Sequence, residues 1–296
     1  MKKIIVISGP TGVGKTKLSI MLAKKYNGEI INADSMQIYK GLNIGTAKIT
    51  KEEMKNIKHH LFDIKDVTEP YSIYDYQKDC RNKIKEIHDK NKTVIIVGGT
   101  GLYIKSALYD YQLNETVNNN TYDDISTSDL YNKLIKLDKD STNKIDPSNR
   151  RRIINALNYY LDNNKSITKN TTNKLLYDTL FIGLTTNREN LYNIINKRTD
   201  KMIKDGLIEE VKYFYDKNIY TKPLTGGIGY KEIYKYLDNE ISKEEAIDLI
   251  KKNSRHYAKR QYTFFNNKLP IKWFDTDYSN FTNTYNEIIK YIDSNK

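Results

Sequence analysis

Short apolar runs alternate with longer amphipathic stretches over the first hundred residues. The runs are KIIVIS (3–8), EIINAD (29–34), HLFDI (60–64) and TVIIVGG (93–99). Strands this apolar are typical of a parallel sheet that is covered on both faces. The stretches 15–26 and 74–89 predict helices between them. The pattern therefore predicts a doubly wound α/β fold.

Beyond residue 113 the pattern changes. Two polar stretches, 114–129 and 162–174, flank the helical segment RRRIINALNYYL (150–161). Core loops are usually short, so an interruption of this length predicts a small helical insertion domain. We place this insertion at 113–177, between core segments 1–112 and 178–296.

The buried pattern resumes after the insertion. DTLFIGL (178–184) predicts a strand, helices are predicted over 188–216 and about 230–265, and IKWFD (271–275) predicts a last strand. These elements complete the α/β core.

Composition narrows the class of protein. The net charge of +12 suggests an anionic partner, although abundant Lys, Asn, Tyr and Ile would also follow from an A/T-rich genome. The single cysteine, Cys80, excludes a disulfide framework and a cysteine-based zinc site. No apolar run is long enough to cross a membrane, and the short run after the first lysines fits a strand better than a signal peptide. We expect a cytoplasmic protein with no membrane partner.

The stretch GPTGVGKT (9–16) matches the phosphate-loop pattern G-x-x-x-x-G-K-[ST] between a predicted strand and a predicted helix. In such a loop, amides of residues 12–16 and the Lys15 ammonium bind phosphate, while the Thr16 hydroxyl ligates Mg²⁺. A chance match is the alternative, which the strand–loop–helix context disfavours. The predicted phosphate-binding residues are Gly9, Pro10, Thr11, Gly12, Val13, Gly14, Lys15 and Thr16. The predicted fold is therefore a parallel sheet of the P-loop type.

One aspartate that usually accompanies a phosphate loop is missing from the sequence. Nucleotide hydrolases commonly anchor Mg²⁺ with an aspartate at a later strand end, where this chain has Gly98 and Gly99. Asp34 instead follows the second predicted strand and Thr100 the fourth. Ligands in open α/β sheets lie at the carboxyl ends of strands, so both residues should face the phosphate loop. For Asp34 the alternative is a helix N-cap or an Asx-turn.

Arg198 lies on an apolar helix stripe with Leu191, Ile194, Ile195 and Met202. A buried charge needs a partner. That partner is either a nearby carboxylate or an anion such as the far end of a diphosphate.

Basic residues cluster at 150–152 and in the acid-free segment 249–274. The second cluster contains Lys251, Lys252, Arg255, Lys259, Arg260, Lys268 and Lys272, interleaved with Tyr257, Tyr262, Phe264 and Phe265. Such a combination suits a structured RNA with an exposed loop. The alternative is a solvated helix face with its aromatic side chains in the core, and for the aromatic side chains alone we favour it.

Eight stretches together resemble the tRNA dimethylallyltransferase (tRNA isopentenyltransferase) family of the bacterial type. They are GPTGVGKT (9–16), NADSMQIYKGLNIGTAK (32–48), HHLFDI (59–64), VGGTGLYI (97–104), DPSNRRRIINAL (146–157), KRTDKMIKDGLIEEV (197–211), GIGYKE (227–232) and YAKRQYTFF (257–265). They occur in the family's order and span almost the whole chain. The second and eighth are far more specific than the phosphate loop.

The resemblance implies transfer of a dimethylallyl group from dimethylallyl diphosphate to the exocyclic amine of an adenosine. That adenosine lies 3′ of the anticodon in tRNAs that read codons starting with U. The implied catalytic residues are Asp34, as general base, and Thr100. Lys15, Thr16 and Arg198 would hold the diphosphate with Mg²⁺, for which Asp34 is a second candidate ligand.

The resemblance also implies contacts with the tRNA anticodon stem-loop. The implied residues are Asp34, Ser35, Met36, Gln37, Thr100, Arg150, Arg151, Arg152, Gly229, Lys231, Arg255 and Arg260, with Gln37 reading the edge of the target base. The chain departs from the family at Asn149, where Asp is usual, and at Asn155, where Arg is frequent. A shortened segment ahead of them leaves one contact unplaced. We expect a monomer.

Three other functions compete with this prediction. A related transferase would use free AMP or ADP, but the insertion and the basic segment argue against it. A small-metabolite kinase would need a lid and further phosphate-binding arginines, which we do not recognise. A catalytically silent tRNA-binding protein is disfavoured because Lys15, Thr16, Asp34 and Arg198 are intact.

Overall fold

The core of the fold is one sheet of six parallel strands, in the order β3-β2-β4-β1-β5-β6. The computed structural model describes residues 3–111, 113, 120–167 and 173–295. Its strands are β1 (Ile4–Ser8), β2 (Gly28–Asn32), β3 (His59–His60), β4 (Thr93–Val97), β5 (Thr179–Thr185) and β6 (Lys272–Asp275). Every pairing is parallel, which confirms the predicted α/β class.

Twelve helices accompany the strands in the described residues. They are α1 (Lys15–Lys25), α2 (Ile73–Asp89), α3 (Gly101–Leu108), α4 (Thr127–Leu137), α5 (Lys139–Thr142), α6 (Arg150–Asn163), α7 (Arg188–Lys204), α8 (Leu207–Tyr215), α9 (Lys222–Gly226), α10 (Tyr230–Leu237), α11 (Lys243–Lys268) and α12 (Phe281–Ser294). No described helix is both long enough and apolar enough to cross a bilayer.

The strands around β1 are apolar because helices cover them. Ile5 and Ile7 share one buried cluster with Leu18 and Leu22 of α1 and with Ile195 of α7. Burying side chains of this size contributes about 1.5–3 kcal/mol each. This cluster therefore supports the strand end from which the phosphate loop begins.

The third predicted strand, 60–64, is wrong after His60, its first residue. Pairing with β2 covers only His59 and His60. Leu61 and Asp63 have φ of 62° and 52°, which a strand does not allow. The chain therefore leaves the sheet directly after His60.

Both long predicted helices are in fact broken. Gly206, with φ of 104°, separates α7 from α8, because a left-handed residue cannot continue an α-helix. The second predicted helix is α10 followed by α11, whose N-cap Ser242 forms a capping box with Glu245. The pattern also missed α12, which packs Phe281 and Ile288 into the main core.

The chain divides into two compact units, which we call the core unit (1–107 and 177–296) and the insertion unit (108–176). The insertion unit has its own small core, in which Leu130 and Leu134 of α4 pack with Ile153 and Leu157 of α6. Of the two polar stretches predicted there, 114–119 and 168–172 lie outside the described residues.

Asn149 is the N-cap of α6, because its side chain accepts a hydrogen bond from the Arg152 amide. Asn and Asp cap helices about equally well. The departure from the family at this position therefore keeps the cap.

Candidate active site

The phosphate loop connects β1 to α1 through three left-handed glycines. Gly9, Gly12 and Gly14 have φ of 132°, 86° and 91°. A Cβ on Gly9 would strike the carbonyl oxygen of Leu184 on β5, and one on Gly12 would lie 2.5 Å from Ile194 Cγ2. The loop conformation therefore requires glycine and leaves the first amides of α1 without helical partners.

Lys15 folds back over this loop. Its Nζ donates to the carbonyl oxygens of Gly9 (2.9 Å) and Pro10 (2.6 Å). Burial and, to a smaller extent, the Arg198 charge lower the pKa of Lys15 to about 7, while the Asp34 charge opposes both. Two donated hydrogen bonds leave the third ammonium proton for a ligand.

Arg198, on α7, is the second cation at this site. Its Nη2 donates to the carbonyl oxygen of Thr46 (3.3 Å). Burial lowers the pKa of Arg198, while Asp34 raises it. Among the described residues Arg198 forms no ion pair within 4.0 Å. The Asp34 carboxylate nevertheless acts on its charge, so both partners considered for Arg198 stay open.

Asp34 follows β2, and the side chain of Asn32 holds its backbone. Asn32 Oδ1 accepts from the Asp34 amide (2.9 Å), and Asn32 Nδ2 donates to the Asp34 carbonyl (3.0 Å). Asp34 Oδ1 accepts from the Met36 amide (3.0 Å), which is an Asx-turn, and no helix starts here. Within the described ranges Oδ2 accepts no hydrogen bond. The turn fixes one carboxylate oxygen and leaves the other to a ligand.

Thr100 lies at the neighbouring strand end, as predicted. Its Oγ1 accepts from the Ser35 amide (3.1 Å) and donates to Ser35 Oγ (3.4 Å). A Cβ on Gly98 would strike the Ala33 carbonyl, so the glycine allows β4 to approach the end of β2. The structure thus brings Thr100 and the turn of Asp34 together.

Tyr257 of α11 belongs to the same site, although the sequence indicated only a core or stacking aromatic residue. Burial and, after it, the Asp34 charge raise the pKa of Tyr257 to about 12, against hydrogen-bonding contacts with Thr100 and Gln261 that lower it. Gln261, one turn later, donates to the Gly99 carbonyl (3.0 Å). The i, i+4 spacing of two polar side chains beside buried Ala258 is the signal that could have revealed them.

Gln37 and Met36 face other segments of the core unit. Gln37 Nε2 donates to the Thr46 carbonyl (3.0 Å), the same oxygen that accepts from Arg198. A Cβ on Gly227 would lie 2.6 Å from Met36 Cε, so this glycine leaves room for Met36.

The other predicted residues of GIGYKE lie at the start of α10. Gly229, with φ of 94°, is its N-cap, and the Gly229 amide donates to Glu232 Oε2 (2.8 Å). Lys231 Nζ lies 3.6 Å from Glu232 Oε1. Glu232 is buried, so this end of the helix is held by polar contacts.

The arginines of the insertion unit differ from one another. Arg150 donates to the carbonyl oxygens of Ile125 (2.7 Å) and Tyr122 (2.5 Å), so it holds the turn before α4. Arg151 and Arg152 are exposed. Of the three, these two present their charge to solvent.

The basic residues of α11 also divide into those bonded to other protein groups and those exposed to solvent. Arg255 donates to Asn196 Oδ1 (2.7 Å) on α7, and Lys251 pairs with Asp200 (2.6 Å). Arg260 is exposed and lies 5.7 Å from the Tyr257 ring centroid. The acid-free segment thus has an ion-pair partner, Asp200, on the neighbouring helix α7.

The aromatic side chains of α11 mostly pack inward. Phe265 is fully buried and Tyr262 packs against the main core. The Tyr262 hydroxyl is hydrogen-bonded to Thr185 Oγ1 (2.7 Å). These two side chains follow the core alternative that we favoured for the aromatic residues.

A metal at this site would find few protein ligands. Across the described residues no group of three or more His, Cys, Asp and Glu side chains could hold a metal ion. The predicted magnesium ligands are the exposed Thr16 hydroxyl and the Asp34 carboxylate. This set fits Mg²⁺, which binds through one or two protein oxygens together with phosphate and water, and does not fit a metal that needs a full protein cage.

Comparisons with known proteins agree with the motifs. A family model described as IPP transferase matches residues 37–268. A tRNA dimethylallyltransferase of Anoxybacillus flavithermus is 49% identical over 99% of this chain and 96% of its own length. The tRNA isopentenylpyrophosphate transferase structure of Bacillus halodurans is 42% identical, covers 99% of this chain and 96% of its own, and has a TM-score of 0.78. A eukaryotic dimethylallyltransferase structure, described as acting on tRNA, is 32% identical over 98% of this chain and 78% of its own, with a TM-score of 0.87.

Proposed function

This chain belongs to the tRNA dimethylallyltransferase family of IPP transferases, and from that premise we propose that its phosphate loop holds dimethylallyl diphosphate rather than a nucleotide. The enzyme is a prenyltransferase that transfers a dimethylallyl group to tRNA. The proposals that follow concern the residues that perform the transfer and the nucleoside that receives it.

The observation that carries the diphosphate assignment is a surplus of positive charge beside the loop. Lys15 and Arg198 are both partly buried, and the charge of the Asp34 carboxylate acts on both. Burial lowers the pKa of both cations, so an anion that approaches them is strongly favoured. A diphosphate supplies that charge, and its charge grows as the carbon–oxygen bond breaks.

Asp34 is the proposed general base. An adenine amine is a poor nucleophile, so removal of its proton must accompany attack on the allylic carbon. The amine nitrogen forms the new bond to carbon, its proton passes to Asp34 Oδ2, and diphosphate leaves with the electrons of the carbon–oxygen bond. Thr100 and Ser35 would face the base beside Asp34, and Gln37 would read its edge.

The proposed acceptor is the adenosine 3′ of the anticodon, in tRNAs that read codons starting with U. The motif resemblance supports this choice, and the base must leave its stack to reach the carboxylate. Exposed Arg151, Arg152 and Arg260 are the proposed backbone contacts, together with Arg150, Gly229, Lys231 and Arg255. We propose that the enzyme acts in the cytoplasm, as bacterial tRNA-modifying enzymes typically do, and that it acts as a monomer.

Mg²⁺ is the proposed cofactor. The Thr16 hydroxyl would hold it beside the diphosphate, and Asp34 is a second candidate ligand only in place of its role as general base. When bound, it neutralises negative charge on the leaving group.

The test is incubation of the protein with unmodified tRNA, AMP and radiolabelled dimethylallyl diphosphate in the presence of Mg²⁺. We expect label in tRNA, at the adenosine 3′ of the anticodon after nuclease digestion. Label in AMP but not in tRNA would contradict the acceptor. Bound but unlabelled tRNA would indicate a binding protein instead of an enzyme.

A further inference from the structure

Glu210, on α8, binds four hydrogen-bond donors with its carboxylate. Oε2 accepts from the amides of Asn43 (3.0 Å) and Ile44 (2.7 Å). Oε1 accepts from the Gly45 amide (3.1 Å) and the Tyr230 hydroxyl (2.6 Å). Both carboxylate oxygens are therefore used by the 43–46 loop and by α10.

Consecutive amides that point at one anion form a binding nest, and here the anion is a side chain of the same protein. Among the described residues Glu210 forms no ion pair. Its negative charge is balanced by neutral donors, and hydrogen bonds of this charge-assisted kind are the strong ones. The loop also packs against Tyr230, whose ring and hydroxyl would lie 2.6–2.8 Å from a Cβ on Gly45.

The next carbonyl of this loop is the acceptor for two proposed site residues. Thr46 O accepts from Gln37 Nε2 (3.0 Å) and from Arg198 Nη2 (3.3 Å). The Thr46 hydroxyl donates to the Leu42 carbonyl (2.7 Å) and closes the turn. The direction of the Thr46 carbonyl thus depends on a loop that Glu210 holds by its amides.

We propose that Glu210 is a positioning residue, which aims Arg198 at the diphosphate and Gln37 at the target base by clamping the 43–46 loop. This inference rests on the proposed function, in which Arg198 binds the diphosphate. Without the clamp, Thr46 no longer holds a fixed acceptor, and a long arginine side chain must be ordered by the substrate itself. Removal of the clamp therefore weakens the binding of the diphosphate substrate.

The variant Glu210→Gln tests this role. An amide places an NH₂ group against the loop amides, so the nest loses a charged acceptor while the side chain keeps its size. Glu209→Gln is the matched control, because Glu209 is adjacent on the same helix and exposed. We measure KM for dimethylallyl diphosphate, kcat, and the Kd of inorganic diphosphate with Mg²⁺.

For Glu210→Gln we expect KM and Kd to rise about tenfold, in line with the loss of one hydrogen bond to a charged group. We expect kcat to change less than KM, and Glu209→Gln to match the wild type. A fall in kcat at unchanged KM and Kd would overturn the positioning role, because that is the signature of a smaller folded fraction.

A double-mutant cycle with Arg198→Ala provides the decisive readout. If Glu210 acts through Arg198, Glu210→Gln raises the Kd of diphosphate less than about twofold in the Arg198→Ala background. If Glu210→Gln raises the Kd equally in the wild type and in Arg198→Ala, the positioning role of Glu210 is overturned, while the proposed function of Arg198 stands. An unchanged Kd in Arg198→Ala itself would instead refute the proposed function of Arg198, and with it this inference.

If Glu210→Gln does not fold, Tyr230→Phe and Gly45→Ala carry the same test. The first removes one donor and keeps the nest, and the second pushes the loop away from the Tyr230 ring. We expect a rise in Kd that is smaller for Tyr230→Phe than for Gly45→Ala, and that disappears in the Arg198→Ala background. Persistence of either effect in that background would overturn the inference.

Discussion

Lys15 should bind a proton when the site binds diphosphate. In the protein without ligand, its Nζ already donates to two carbonyl oxygens. Burial and the neighbouring Arg198 lower its pKa to about 7. A diphosphate anion favours the charged ammonium, so its binding raises this pKa. Proton uptake is therefore linked to binding.

The magnitude follows from the lowered pKa. At pH 8, with a pKa of about 7, about one tenth of Lys15 carries its proton before binding. If the bound pKa returns to about 10, binding takes up about 0.9 proton at pH 8 and about 0.1 proton at pH 6. The affinity for diphosphate is therefore highest at pH values below the pKa of Lys15 in the free protein, and it falls as the pH rises above that pKa. Between pH 7 and pH 8 we expect Kd to rise about fivefold.

The assay is isothermal titration calorimetry of inorganic diphosphate with Mg²⁺, in buffers of different ionisation enthalpy. The slope of the observed enthalpy against the buffer enthalpy measures the protons bound. Lys15→Arg is the matched control, because its guanidinium stays charged at all these pH values. Lys15→Met reports any proton taken up by the ligand itself.

Two results would refute this reasoning. The first is proton uptake at pH 8 that is the same in Lys15→Arg as in the wild type, which would place the titrating group elsewhere. The second is a Kd that does not change from pH 7 to pH 8, which would mean that Lys15 is fully charged before the ligand binds.

Three further perturbations test the site and its loop. Asp34→Asn should lower kcat by about 10²–10⁴-fold, the usual contribution of a general base, with unchanged tRNA affinity in a filter-binding assay; a normal kcat would show that the carboxylate only forms the turn. Arg198→Ala should raise KM for dimethylallyl diphosphate about tenfold or more, as expected for a lost charge-assisted contact, and an unchanged KM in steady-state assays would refute its role. Gly12→Ala should lower the free energy of unfolding in urea by about 1–2 kcal/mol or more, because alanine disfavours the left-handed backbone and its Cβ would meet Ile194. Gly226→Ala is the control, since a Cβ there meets nothing within 4 Å, and equal losses in the two variants would argue against strain at Gly12.

The sequence by itself determined the parallel sheet and the edge at which chemistry is concentrated. Apolar strands such as β1 and β4 are buried on both faces, and parallel strands all end at the same edge. Asp34 and Thr100 had to converge there, because each follows a strand of that sheet. The hydrogen bond from the Ser35 amide to Thr100 joins the two strand ends there.

The apolar periodicity of the sequence did not predict where strands and helices end at residues with unusual backbone dihedrals. The positive φ of Leu61 ended β3, and Gly206 divided one predicted helix into α7 and α8. Neither position interrupts the apolar periodicity from which the elements were predicted. Backbone dihedrals of this kind depend on the packing around them as much as on the residue.

Only the tertiary structure decided what the site residues contact. Arg198 meets a backbone carbonyl 152 positions away, at Thr46, and Glu210 meets amides of the same loop. Every residue carries an amide and a carbonyl, so such partners leave no mark in the pattern of side chains. Tyr257 reached Thr100 for a similar reason, since the packing of α11 decides which of its aromatic side chains enters the site. Residue types and strand order were thus readable from the sequence, whereas partners distant in the chain depended on how the helices pack.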